Sequence, residues 1–361
     1  MNNARNNLLN KNQLTFLIIG FALGPGFLRL VNEISQDAKQ DSWISAIIAL
    51  AYPIYMLIIS NYIISKHHKE NLLILNKKYF GYILGTIFNS IFLFQSIYYV
   101  CVIIIDFSTV SRIYIVAFLT PPKVILVTTI LCVYACNKGI KVIAQLSAYI
   151  SYLLILLIIL SLSALGYGSI LNVQPIMDSS SKNILLGATK AAYFYTGFEF
   201  LLLYHPFVKD IKDIKRASIN ATIISGLIWT WTVFITIYYL GIDIIPKSFY
   251  SLILVFESIK IPLINNFRYV AMFIWTLVSF RIISTYYFNS SYILSDLTKI
   301  PINKLNLLLS PIVFFLSANF IQMLFTKEQL LLLSIVFIVF NITFLSILSL
   351  LVWIKSRFKA Y

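Results

Sequence analysis

The sequence is poor in charge and poorest in acid. Of its 361 residues, 13 are Asp or Glu against 28 Lys or Arg, and charged residues amount to 11%, where soluble domains carry roughly 25%. So few charges cannot keep a chain of this size in water, which excludes an ordinary globular enzyme or soluble binding domain. Cysteine is scarce too. Cys101, Cys132 and Cys136 all fall inside apolar stretches, and no spacing suits a zinc site or a disulfide framework. Cys132 and Cys136 share a helix face at i, i+4 and read as small packing residues. His67, His68 and His205 show no ligand spacing, and His205 beside Pro206 reads as a helix end. Neither a metal nor a cofactor is expected. With 12 glycines and 10 prolines in the whole chain, each one inside an apolar run carries weight.

What is present is apolar. The chain is 60% hydrophobic and 16% aromatic, with a mean hydropathy of +0.87. Windows of about 19 residues divide it into ten spans, roughly 13–36, 43–65, 80–106, 116–136, 141–166, 183–205, 217–241, 267–295, 306–325 and 329–354. Each can cross ~30 Å of hydrocarbon at 1.5 Å per residue. The connections are short, so residues 1–361 read as a single membrane domain, an all-α polytopic membrane protein. The first apolar stretch is long and no cleavage site follows a short core, which predicts a signal anchor.

The net charge of +15 follows topology. With ten spans both termini share one side. The N-terminus, the even-numbered loops and the C-terminus, from Arg5 and Lys11 to Arg357 and Lys359, carry 17 of the 28 basic residues. The opposite loops carry seven, Lys39, Arg112, Lys123, Lys182, Lys247, Lys260 and Lys327. Arg29, Lys190, Arg268 and Arg281 fall in or at the ends of spans. This bias predicts cytoplasmic termini in a multi-pass cell-membrane protein. The basic excess implies no nucleic acid, and the partner it implies is the lipid bilayer.

Two spans contain backbone breakers, Gly24-Pro25-Gly26 in the first and Tyr195-Thr196-Gly197-Phe198-Glu199 in the sixth. Pro25 lacks an N–H and disfavours helix in Leu23-Gly24. In hydrocarbon each amide or carbonyl left unpaired costs several kcal/mol, so a break persists where the freed groups line a cavity. Five spans per half is an odd number. The half covering 183–354 is therefore inverted relative to 13–166, each half opens with its interrupted helix, and that pairing points to a transporter-like site. A helix restarting at Gly26 or Phe27 directs N–H groups and partial positive charge at the cavity, which suits a carboxylate. Carbonyls near Tyr195 and Thr196 suit an ammonium group or a cation. One site holding both ends is built for a zwitterion, and a small amino acid is the economical ligand. A simple proline kink with no ligand is the competing reading of the first break.

Five stretches, taken in order, resemble the B subunits of the spore germinant receptors of endospore-forming bacteria. This spore germination protein family lies within the amino acid–polyamine–organocation (APC) transporter superfamily. The stretches are Leu23-Gly24-Pro25-Gly26, Gln40-Asp41-Ser42-Trp43-Ile44-Ser45, Lys77-Lys78-Tyr79-Phe80-Gly81, Asn172-Val173-Gln174-Pro175, and Tyr195-Thr196-Gly197-Phe198-Glu199 with Pro206. Glu70-Asn71-Leu72 departs from the family, which places a proline a little before the Glu. The resemblance implies a LeuT-like fold of ten transmembrane helices in two inverted five-helix repeats, with spans 1 and 6 broken. It also implies a subunit of the spore inner membrane that binds a small-molecule germinant, often an amino acid. Such a subunit works with an A-type membrane subunit and a lipoprotein C subunit. By the same resemblance a span 3 tyrosine, Tyr98 or Tyr99, and a span 8 hydroxyl, Thr285, line the site. The expected ligand-binding set is Gly24, Pro25, Gly26, Phe27, Tyr98, Tyr99, Tyr195, Thr196, Gly197, Phe198 and Thr285.

Charges within spans are functional candidates. Glu199 follows the sixth-span break and reads as a coupling group, an amine-recognition group, or the buried partner of a base. Arg281 lies too deep to reach the interface, and Glu199 or an unwound carbonyl is its expected partner. Lys190 is expected to snorkel outward, and Arg29 with Glu33 to pair at i, i+4 in a vestibule. The polar run Thr276, Ser279, Arg281, Ser284, Thr285, Asn289, Ser290 and Ser291 is expected to face the cavity, some of its hydroxyls bonding back to their own turn. No acid/base or metal constellation supports an enzyme. A receptor subunit and an amino acid permease remain, and the genes beside this one separate them.

Overall fold

A computed structural model describes residues 9–261, 265–320 and 327–358. Residues 321–325 of the expected ninth span lie outside these, as do Arg5, Lys359 and the side chain of Lys327. The fold is all-helical. Its helices are α1 (Lys11–Ala22), α2 (Leu30–Ala38), α3 (Ser42–Ile48), α4 (Ala51–Lys66), α5 (Leu72–Tyr114), α6 (Pro121–Asn137) and α7 (Ile140–Leu160). After a turn-rich segment come α8 (Ser181–Ala192), α9 (Leu201–Tyr204), α10 (Ile211–Leu240), α11 (Ser251–Glu257), α12 (Arg268–Thr298), α13 (Ile302–Phe315) and α14 (Lys327–Phe358). Seven helical stretches among the described residues are long and apolar enough to cross a membrane, and α6 is a shorter apolar helix. Their outward faces are hydrocarbon. Ile58, Ile83, Leu227, Leu307, Leu332 and Leu350 are each more than half exposed, a surface that water does not tolerate and lipid does. The protein is a multi-pass membrane protein.

Local chemistry sets the helix boundaries. Asn10 caps α1 by accepting from the Gln13 amide at 2.8 Å while the Gln13 side chain accepts from the Asn10 amide at 3.0 Å. α1 stops at Ala22, and Leu23 and Gly24 are extended. Pro25 then opens the short turn Pro25–Leu28 before α2 begins at Leu30. α5 bends sharply at Gly81, where φ is 81°. Asn76 and Asn89 tie the two limbs together at 2.7 Å.

Two separated motifs meet at one end of the bundle. The buried Asp41 carboxylate accepts from the amides of Met177 and Ser179 at 2.7 and 2.8 Å. Gln40 donates to the Pro175 carbonyl and to Asp178. The Gln40-Asp41 pair therefore anchors the loop that leads into α8. A second tie joins the start of α1 to the segment after α9, where the Leu9 amide donates to the Phe207 carbonyl at 2.8 Å. α1 packs against α7 and α10, and α12 lies along α5 and α7.

Candidate ligand site

The two helix interruptions face one cavity. Beyond α8 the chain makes a short turn at Tyr193–Tyr195, Thr196 is extended, and Gly197 adopts φ 113°. That left-handed conformation favours glycine. A Cβ at Gly197 would in addition lie 2.4 Å from the Phe21 side chain. Between this segment and Gly24–Gly26 lies a cavity of about 40 Å³. A water needs about 10–15 Å³ of such space, so the cavity has room for only a few waters. Its walls are Phe21, Ala22, Gly24, Pro25, Gly26, Arg29, Tyr99, Ile103, Asp106, Tyr193, Phe194, Thr196, Trp229, Ile282 and Tyr286.

Polar groups in these walls are unequally satisfied. The Tyr99 hydroxyl and the Trp229 indole N–H are buried with no hydrogen-bond partner among the described residues. A buried donor left unpaired costs about 1–3 kcal/mol, so two along one cavity call for an explanation. The amide of Gly26, second in the turn Pro25–Leu28, is one of those a helix start leaves without an intrahelical acceptor. The remaining wall is largely aromatic. Tyr286 packs on Phe21 and Tyr99 at 5.0 and 5.2 Å between ring centroids, and Phe194 on Trp229 at 5.5 Å.

Charge closes one side. The Arg29 guanidinium bonds both Asp106 oxygens at 3.0 Å and also pairs with Glu33. Arg29 lines both this cavity and a vestibule of about 570 Å³ whose walls include Glu33, Lys190, Phe249 and Tyr250. The Arg29–Asp106 pair therefore stands between the two spaces.

Of the residues singled out in the sequence, Gly24, Pro25, Gly26, Tyr99 and Thr196 line the cavity, whereas Phe27, Tyr98, Tyr195, Gly197, Phe198 and Thr285 do not. Tyr98 instead donates to the Leu330 carbonyl at 2.6 Å, and Tyr195 to the Ala46 carbonyl at 3.2 Å. Thr285 bonds back to the Arg281 carbonyl at 2.8 Å. The polar run of α12 serves packing in the same way. Thr276, Ser279 and Ser290 each bond the carbonyl four residues earlier, and Ile282 and Tyr286 are the α12 side chains at the cavity. Asp106, Tyr193, Phe194, Trp229 and Ile282 escaped sequence reasoning. Asp106, an acid within an expected span, was the one signal available.

The two buried charges are not partners. The Glu199 carboxylate accepts four hydrogen bonds, from Tyr52 at 3.1 Å, the Gly197 amide at 2.9 Å, and Gln95 and Asn341 at 3.0 Å each. These groups come from α4, α5, α14 and the segment carrying Glu199 itself, so the carboxylate ties separate elements together. Arg281 instead donates to Ser151 at 2.6 Å and to the Leu23 carbonyl. That carbonyl is freed where α1 ends, and in the turn that follows the Pro25 carbonyl accepts from the Trp275 indole at 3.2 Å. Lys190, expected to snorkel, pairs with Asp37 at 2.6 Å, because that acid sits in the last turn of α2, which packs along α8.

Fold and site define an all-helical multi-pass membrane protein with a small cavity between two interrupted segments. Solved structures share this fold. The chain superposes with a TM-score of 0.67 at 14% identity on MhsT in complex with L-phenylalanine, covering 96% of this chain and 88% of that one. For the manganese transporter of Eremococcus coleocola in complex with an aromatic bis-isothiourea substituted compound, the TM-score is 0.60 at 12% identity, covering 94% and 78%. Residues 8–330 match the family described as spore germination protein. The chain belongs to that family, and its relatives are of the germinant-receptor B type. Spore germination protein GerQB of Bacillus cereus is 22% identical over 72% of both chains. Spore germination protein KB of Bacillus subtilis is 26% identical over 69% of this chain and 67% of its own length. Spore germination protein B2 of the same organism is 21% identical over 74% of both.

Proposed function

We propose that this chain is the membrane subunit of a spore germinant receptor, binding a small germinant, an amino acid, in the cavity between Gly24–Gly26 and Thr196 and so triggering germination. The observation that carries the reading is the pair of unpartnered buried donors, Tyr99 and Trp229, in a cavity flanked by both helix interruptions. In this reading the Gly26 amide meets the carboxylate, and carbonyls of the Tyr193–Tyr195 turn meet the ammonium group. The aromatic wall takes the side chain. The structurally similar MhsT holds an amino acid, L-phenylalanine, which supports that ligand class. Because ligand pockets usually run ~300–1,000 Å³, a cavity of about 40 Å³ must widen to take up the ligand. Entry from the vestibule requires Arg29 and Asp106 to part.

The architecture that accompanies this function is ten transmembrane helices in two inverted five-helix repeats, 13–166 and 183–354, with the first and sixth spans broken and both termini cytoplasmic. The membrane is the spore inner membrane. The working complex includes an A-type membrane subunit and a lipoprotein C subunit. Glu199 and Arg281 act as structural charges that hold the helices and the first break in place. A permease reading has its own support in the fold shared with transporters.

Purified protein, screened by thermal shift against the twenty common amino acids and then reconstituted in liposomes, separates the alternatives. The receptor reading expects a ligand that raises the melting temperature and is not taken up by the chain alone. Rapid uptake by the isolated chain supports the permease and overturns the receptor assignment.

A further inference from the structure

A second cavity, of about 170 Å³, lies where α4 ends, α5 begins and α14 ends. Lys66, His67, Lys78, Tyr79, Lys355 and Ser356 form its wall. Three ammonium groups around one space repel one another, and among the described residues the acid beside them is Glu70. Glu70 accepts from Lys78 at 2.7 and 2.8 Å, and His67 bridges Glu70 and the Tyr79 hydroxyl at 2.6 and 2.7 Å. Lys355 stands over the Tyr79 ring at 5.2 Å. The ion pairs of the described residues give neither Lys66 nor Lys355 a carboxylate. The position is also particular. Just beyond the cavity, Trp353 and Ile354 of α14 and Tyr82 and Ile83 of α5 present exposed apolar side chains, the surface that faces lipid.

We propose that this pocket binds the phosphate headgroup of an anionic phospholipid. The volume of about 170 Å³ leaves room for a phosphate with its glycerol. The lysines supply point charges for the phosphate, while the Ser356 hydroxyl in the same wall donates to the Trp353 carbonyl at 2.8 Å. The acyl chains run along the apolar faces of α5 and α14. Basic pockets between membrane helices at the headgroup level are sites of this kind. The bound lipid would bridge the ends of α4, α5 and α14, all of which carry partners of Glu199, namely Tyr52, Gln95 and Asn341.

The test uses the full-length chain, purified and stripped of lipid in detergent. It is titrated with short-chain phosphatidylglycerol, with phosphatidylcholine and with inorganic phosphate, and bound lipid is read by native mass spectrometry and melting temperature. Phosphatidylglycerol is expected to bind saturably and to raise the melting temperature, while phosphatidylcholine does neither. Lys66→Gln with Lys355→Gln should weaken phosphatidylglycerol about tenfold or more without lowering the lipid-free melting temperature, and arginine at both positions should restore it. Lys209→Gln with Lys212→Gln makes the same charge change outside the pocket and should leave affinity unchanged. Equal losses in the two double variants would reveal diffuse attraction and overturn the proposal. So would wild-type binding by the Lys66/Lys355 variant, or protection by inorganic phosphate equal to that by the lipid.

Discussion

Replacing Glu199 should separate two kinds of damage. In Glu199→Ala the acceptor of four hydrogen bonds disappears from a fully buried site. The Tyr52, Gln95 and Asn341 side chains can turn, and polar contacts inside membrane proteins average ~0.6 kcal/mol, so together they account for about 2 kcal/mol. The Gly197 amide is fixed by its backbone and cannot turn, and an orphaned buried donor costs about 1–3 kcal/mol. The alanine variant should therefore lose about 3–5 kcal/mol. Glu199→Gln keeps one carbonyl oxygen, which can face Gly197 and Tyr52, while its NH₂ faces Gln95 and Asn341. Those two amides can rotate by half a turn and present oxygens instead. The glutamine variant should lose roughly 1 kcal/mol, the difference between a charged and a neutral acceptor. Thermal unfolding of the purified variants in detergent reads the order, with alanine far below glutamine and glutamine close to wild type. Equal melting temperatures for alanine and glutamine would refute the reasoning, because the four-donor arrangement would then not hold the helices together.

Three further outcomes follow from the same geometry. Glu199 and Arg281 share no partner, so Glu199→Gln and Arg281→Met should be additive to within ~0.5 kcal/mol in a double-mutant cycle; a coupling of several kcal/mol would show the two charges to be paired. Asp106→Asn removes the carboxylate that Arg29 grips between cavity and vestibule and should speed ligand association in stopped-flow binding, where an unchanged rate would remove the pair from the entry path. Burial pushes the Glu70 carboxyl up, but hydrogen bonds from Lys78 and His67 hold it below the usual carboxylate range. A depressed carboxyl adds stability above its unfolded pKa of ~4.3 and loses it as pH falls through the folded value, so melting temperature should decline on that acid side and Glu70→Gln should flatten the decline. The change is at most ~1 kcal/mol for so exposed a group.

Features set by local chemistry were legible in the chain. Where α1 stops is written in Leu23-Gly24-Pro25-Gly26, since a missing N–H and two glycines act on their immediate neighbours. Gly197 is similar, its left-handed backbone being a one-residue property. Features that depend on which helices become neighbours were not legible. Asp106 from α5 and Trp229 from α10 reach the cavity only because those helices pack beside the interruptions. Lys190 has a stem long enough to reach an interface, and nothing in its own segment announces Asp37, which lies far away in sequence. Arg281 was half legible. Its depth demanded a partner, but choosing between Glu199 and an unwound carbonyl needed the distances. Gln95 and Asn341 are amides inside apolar helices, a signal present in the sequence that gains meaning only beside Glu199.

The central claim is that the cavity between the two interruptions holds the germinant, and Gly26 tests it most directly. A Cβ at Gly26 would lie 2.5 Å from the Phe194 ring, so a leucine there must fill the cavity and push that ring aside, at about 1–3 kcal/mol of overpacking. Wild type and Gly26→Leu, both purified as folded protein, are compared by calorimetric titration with the amino acids that shift the melting temperature of wild type. The expected result is saturable binding by wild type and none by Gly26→Leu. An unchanged binding curve in a well-folded Gly26→Leu protein would mean that the interruption at Gly24–Gly26 is a kink and that the ligand binds elsewhere.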